Sequence, residues 1–205
     1  MVDTVTIGFF LEDIGQENFI KSLVIRIAEE ARFDAGRLTF DVRSASGGSS
    51  VAITRFKQFL RECAAVSAAH FDVLIVCIDG DRKGATEVTR QLKEFAERSV
   101  YGGIIIYAIP EPHIEKWYLA DLSACQQAIG ALEQPKCPPL KSEKDRYKRA
   151  LIDAIRGAGV TPLQGGAEYG AEIAAKMNLY DAGKNDDSLG RFIGDMKTAL
   201  LAFRS

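Results

Sequence analysis

The chain alternates between short apolar runs and longer stretches in which apolar residues return every three or four positions. "TVTIGFFL" is rich in β-branched and aromatic residues and gives way to Glu12, Asp13 and Gly15, which predicts a strand over Thr4 to Leu11 followed by a turn. Behind it Phe19, Ile20, Leu23, Val24, Ile27, Ala28 and Ala31 recur at helical spacing, the stripe of an amphipathic helix returning across a sheet. "RLTFDVR" predicts a second strand and "SASGGSS" a loop, after which Ile53, Phe56, Leu60, Cys63 and Ala64 mark the apolar side of a second helix. "FDVLIVCI" is apolar almost without interruption, as a parallel strand is when helices cover both its faces. Val88, Leu92 and Phe95 mark a third helix, and "GIIIYAI" is a fourth strand closed by Pro110 and Pro112, neither of which fits a central strand. The order β-α-β-α-β-α-β predicts an α/β fold: a three-layer parallel sheet of about four strands with right-handed crossovers.

Beyond residue 113 the pattern turns helical. "EKWYLADLSACQQAIGALEQ" predicts a helix and "PKCPPL" breaks it; three more helical stretches follow from about Ser142, Glu168 and Ser188. Tyr147, Leu151, Ala154, Ile155 and Ala158 form one apolar stripe. The expected organisation is an α/β domain over 1–121 with a helical extension over 122–205 packed on it.

Composition narrows the function only a little. With 205 residues and 47% hydrophobic content, one substantial core is within reach. The 26 basic and 28 acidic side chains nearly cancel, so a nucleic-acid partner has to be held by a local patch and not by a global field. Cys63, Cys77, Cys125 and Cys137 show no CxxC spacing, which points to reduced structural thiols in a cytoplasmic protein. His70 reads as a loop residue, and with His113 lies too far from any cysteine pattern for a zinc site. Nothing resembles a secretory leader, and no run approaches the roughly 18 apolar residues of a membrane span.

The carboxylates carry the chemistry. In an open parallel sheet ligands gather at the carboxyl ends of the strands. Glu12 and Asp13 close the first strand, and Asp79 and Asp81 close the third. If those strands are neighbours, the acids converge, and a hard divalent cation with oxygen ligands relieves their repulsion. Asp79-Gly80-Asp81 suits this, since glycine allows a sharp turn that leaves two carboxylates on one side. The same tripeptide is also ordinary turn chemistry. Glu111 and Glu115 in "IPEPHIEKWYLAD" reach the same edge. Glu115 either binds a second metal or orients water, or lies on the solvated side of a short helix beside a buried Trp117. Glu17, in a first helical turn, is explained by the helix dipole.

"LEDIGQE" and "CIDGDRKG" together resemble the two signatures of the TOPRIM domain, shared by DNA primases, topoisomerases and nucleases of the overcoming-lysogenisation-defect class. The resemblance covers roughly the first 110 residues. It implies that Glu12, Asp79 and Asp81 take the family's metal-binding and catalytic places, with Mg2+, or alternatively Mn2+, as the cofactor. Asp13 stands where family members usually have glycine, and Lys83 where topoisomerases have a further aspartate. The chain is similar to small stand-alone TOPRIM proteins of bacterial anti-phage defence, which implies a metal-dependent nuclease acting on DNA or RNA, with an ATPase or other regulatory protein as a possible partner.

For substrate contact, Arg82 and Lys83 lie nearest the predicted metal and suit a scissile phosphate. Residues 136–156 carry seven basic side chains (Lys136, Lys141, Lys144, Arg146, Lys148, Arg149, Arg156) against three acidic ones. That is either a phosphate track or the solvated face of an amphipathic helix capped by Ser142 and Asp145. The "SGGSS" loop offers backbone N–H groups to a phosphate. Competing readings are a phosphoacceptor receiver domain using Glu12, Asp13 and Asp79, a DxD phosphatase or glycosyltransferase, and a TOPRIM-like module that binds nucleic acid or protein without turnover.

Overall fold

The structure, a computed structural model, describes residues 4–45, 47–65, 71–81, 83–139 and 145–204, with side chains in the second segment through Cys63. His70, Arg82, Lys141, Ser142 and Lys144 lie outside the described residues. Four strands form one all-parallel sheet: β1 (Val5–Leu11), β2 (Leu38–Ser44), β3 (Val73–Cys77) and β4 (Ile104–Ala108), in the spatial order β2-β1-β3-β4. The α/β expectation therefore holds, and β1 and β3 are neighbours.

Side chains alternate across a strand, and two buried clusters divide accordingly. Val5, Ile7, Phe9 and Leu11 of β1 face one side with Val73, Ile75 and Cys77 of β3. Helix α1 (Glu17–Glu30) covers that face with Phe19, Ile20, Leu23, Val24 and Ile27. Phe10 of β1 and Leu74 and Val76 of β3 face the other side, covered by α2 (Ser49–Ala65) and α3 (Gly84–Glu97). All five residues of β3 are buried, because that strand is central and clad on both faces. Gly8 belongs to the second face: a Cβ there would stand 2.3 Å from the Phe71 ring, so the strand is held to glycine by the ring pressed on it.

The C-terminal half is built from short helices. α4 (Ile114–Tyr118) and α5 (Leu122–Ile129) are separate, although the apolar pattern predicts one helix. Asp121 breaks it by taking an extended backbone and capping α5 through Ala124 N–H. Then come α6 (Arg146–Gly157), α7 (Gly170–Lys176), α8 (Leu179–Asn185) and α9 (Asp187–Leu201). The expected three helices are thus four. Asn178 caps α8 and Asp186 caps α9; the Asn178 cap divides the stretch expected to run as one helix from about Glu168, while α9 begins next to the expected Ser188. Asp145 sits at the start of α6 with φ 60° and makes no side-chain cap, unlike the expected arrangement.

One buried cluster runs from β1 and α1 through Trp117, Leu151 and Ile173 to Phe192 and Leu200, so the C-terminal helices share the core of the α1 face. Polar groups lock the seam. The Trp117 indole donates to Ser188 Oγ (2.7 Å), which donates to Asp186 Oδ1 (2.5 Å), and Lys116 Nζ lies 2.7 Å from Asp186 Oδ2. Cys63, Cys77 and Cys125 are buried free thiols and Cys137 an exposed one. Among the described residues no helix is long and apolar enough to cross a membrane.

Candidate functional site

The chain passes from β1 outward to β2, then crosses back to β3 and on to β4, so connections leave β1 and β3 in opposite directions. A crevice opens at the carboxyl ends of such a strand pair, where ligands bind in open α/β sheets. Glu12 follows β1 directly, and its N–H continues the ladder to Cys77 O at 2.9 Å. Its side chain crosses the crevice: Oε2 accepts the Asp79 N–H at 2.9 Å. The acid after the first strand is therefore joined to the loop after the third.

That loop is pinned on its far side by the segment following β4. Gly80 N–H donates to Pro110 O (2.8 Å) and Asp81 N–H to Pro112 O (2.9 Å). A Cβ on Gly80 would stand 3.1 Å from Pro110 O and 3.2 Å from Ala85 N, so a side chain there would press on the backbone of both neighbours. The left-handed residues of the turn are instead Asp81 (φ 47°) and Gly84 (φ 79°). Asp81 tolerates that conformation as few residues do.

Three further side chains meet the two aspartates. His113 Nδ1 lies 3.3 Å from Asp79 Oδ2 and 3.4 Å from Asp81 Oδ1. Gln16 Nε2 donates to Asp79 Oδ1 (3.2 Å), and Ser49 Oγ donates to Asp81 Oδ2 (2.5 Å). Ile114 N–H also donates to Asp79. Asp13 serves the backbone: its carboxylate accepts Gly15 N–H at 3.0 Å and opens the short turn before α1. Glu111 likewise accepts Ala85 N–H at 2.9 Å and caps α3.

Burial and mutual repulsion raise the proton affinity of the cluster. Glu12 is pushed up to about 7, chiefly by burial, against the opposing Asp79 N–H bond and with the charges of Asp79 and Asp81 adding to the rise. Burial also lifts Asp79 above the usual aspartate range, outweighing the His113 bond. Glu115 is raised by burial and held back in part by its own N–H and by Lys148 of α6. His113 is raised, first by its bond to Asp79. Among the described residues a single imidazole thus faces several partly buried carboxyl groups.

Two buried polar atoms at this edge have no hydrogen-bond partner among the described residues. One is Gln16 Oε1, on the side chain that donates to Asp79; the other is Tyr118 Oη, which feels the charges of Glu115, Asp79 and Asp13. A buried carbonyl oxygen beside carboxylates is hard-donor chemistry of the kind that suits magnesium. Among the described residues, however, no three His, Cys, Asp or Glu side chains are grouped so that they could hold one metal ion. The carboxylates are instead met by His113, Gln16, Ser49 and the Asp79 N–H.

The sequence-derived residues fall as follows. Glu12, Asp79 and Asp81 share the switch-point crevice, and Glu115 lies half-buried behind Asp79. Lys83 is exposed at the start of α3, where its charge acts on Glu87. The basic segment divides: Arg146 is buried and donates to Pro139 O, while Lys148 turns toward Glu115. Arg146 is thus no part of a solvated face. The sequence reading does not include Gln16 and His113 as site residues, and includes Ser49 only through the backbone of the "SGGSS" loop. His113 follows β4 at the same sheet edge, which was the available signal. No family model, no curated protein and no solved structure matches the chain.

Proposed function

We propose that the chain is a metal-dependent phosphodiesterase acting on DNA or RNA, a nuclease of TOPRIM type, with Glu12, Asp79 and Asp81 holding Mg2+ or Mn2+. The observation that carries this reading is the linkage of Glu12 to Asp79 across the β1–β3 crevice, with Asp81 beside them and the proton affinity of Glu12 raised by burial and by both aspartates. When bound, such an ion polarises a phosphoryl oxygen and lowers the pKa of water. The chain's own residues do the rest. Gln16 and Ser49 orient the aspartates, the Asp79 N–H fixes the Glu12 carboxylate, and His113 sets the spacing of Asp79 and Asp81. Glu115, with its raised proton affinity, is the candidate to hold a proton at the crevice wall. Arg82 and Lys83 are assigned to the substrate phosphate. An ATPase or other regulatory partner and a role in phage defence belong to the same proposal.

The test is a cleavage assay on single- and double-stranded DNA and RNA with Mg2+ or Mn2+. Wild-type protein cuts at least one substrate, and Asp79→Asn and Glu12→Gln lose at least about 100-fold, the scale of removing a transition-state charge partner. One observation favours a second reading: both aspartates already have protein donors on their oxygens, as in a binding module without turnover. That module retains nucleic acid or protein equally well with Asp79→Asn and cuts nothing.

A further inference from the structure

We propose that two copies of the chain associate edge to edge through β4, joining their sheets about a two-fold axis perpendicular to the sheet. The axis puts β4 antiparallel to β4 of the second copy. Among the described residues β4 pairs only with β3. Ile104 N–H donates to Asp72 O and Ala108 O accepts from Ile78 N–H, so the alternation of the backbone turns the N–H and C=O groups of Ile105 and Tyr107 outward. An edge of this kind is a template for another strand.

The two edges of the sheet are built differently. β2 carries Asp41 and Arg43, paired at 3.3 Å, and charges on an edge strand discourage pairing. β4 reads Ile-Ile-Ile-Tyr-Ala, with neither charge nor proline, and Ile104 is 38% exposed. Along it runs a groove of about 540 Å³ between α3 and α9, with Tyr107 and Ile109 in its lining. The groove leaves this edge approachable between two helical walls.

Charge singles out a second copy as the occupant. The same axis lays α3 antiparallel to α3 of the second copy and α9 antiparallel to its α9. With Ile105 opposite the copy's Tyr107, an α3 pair centred between Lys93 and Glu94 sets Lys93 against Glu94 and Arg90 against Glu97. An α9 pair centred on Ile193 sets Arg191 against Asp195. Every contact in this set is between opposite charges. Among the described residues, Lys93, Glu97, Arg191 and Asp195 are engaged in no ion pair within the chain, whereas Arg90 and Glu94 already pair with each other, so the α9 contacts are the ones made between two unengaged charges. Such self-complementarity is what an isologous interface demands.

The test is sedimentation velocity on the full chain over a wide concentration range. Wild type sediments with twice the mass of one chain. Arg191→Glu, which sets like charges against each other twice in a two-fold pair, weakens association by roughly tenfold or more. Arg191→Glu with Asp195→Arg restores it, because the swap rebuilds both contacts with reversed sign. Tyr107→Pro, which removes an outward N–H, abolishes it; circular dichroism confirms the fold, and the charge swap decides if that variant does not fold. A monomeric wild type at all concentrations, or Arg191→Glu associating as tightly as wild type, overturns the proposal.

Discussion

Glu12→Gln is the most informative single substitution in the crevice. The amide keeps an oxygen to accept the Asp79 N–H now held at 2.9 Å, so the crossing contact survives while the charge goes. Burial, with Asp79 and Asp81 alongside, pushes Glu12 from 4.5 to about 7. A carboxyl raised in the folded state favours folding while it is protonated. Its contribution is fully present below 4.5 and is lost as pH rises through about 7. For a group wholly out of water that interval would correspond to roughly 3 kcal/mol. Glu12 is only half-buried, and solvent screening reduces the expectation to about 1–2 kcal/mol. Glu12→Gln should therefore match wild type near pH 4.5 and exceed it at pH 8, by roughly 2–8 °C in Tm. Thermal denaturation at a series of pH values, with chelator present, measures the gap. A gap that stays constant across the series, or a wild type that is the more stable at pH 8, refutes the reasoning. Mg2+ should then stabilise wild type at pH 8 by about 2.7 kcal/mol at a hundredfold excess over its Kd, and stabilise the variant less.

Two further substitutions test the frame that positions the crevice. Gly8→Ala drives a methyl into the Phe71 ring, which a Cβ would meet at 2.3 Å; it should cost about 1–3 kcal/mol by overpacking, and much less in a Phe71→Ala background when both are read from urea denaturation midpoints. Asp186→Ala leaves Lys116 without its 2.7 Å partner and α9 without its cap, and should cost about 3–5 kcal/mol. Adding Lys116→Met should recover part of that loss, since the double variant buries no unpaired charge; a double variant less stable than Asp186→Ala contradicts the pairing.

The sheet was legible because its strands carry their environment in their composition. β3 is covered on both faces and is apolar throughout, and β4 ends where Pro110 and Pro112 forbid a ladder. The acidic edge was legible too, because strand ends in a parallel sheet are the ends of apolar runs. Three kinds of information escape a pattern of apolar positions. Asp121 and Asn178 divide helices by capping, and a hydrophobic stripe does not register caps. The Gln16–Asp79 and Ser49–Asp81 bonds join residues 63 and 32 positions apart, so they depend on strand order. The role of Gly80 is close approach to Pro110 O and Ala85 N, a packing fact, while the positive φ angles of the turn fall on Asp81 and Gly84.

The central claim is that acids distant in the chain are gathered by the fold into a seat for one hard cation. Isothermal titration of the purified chain with Mg2+ at pH 8, beside Asp79→Asn, addresses it directly. Saturable uptake of at least one ion per wild-type chain, abolished by the substitution while the fold persists, is the predicted result. A folded wild type that takes up no ion, or a variant that binds as wild type does, contradicts it.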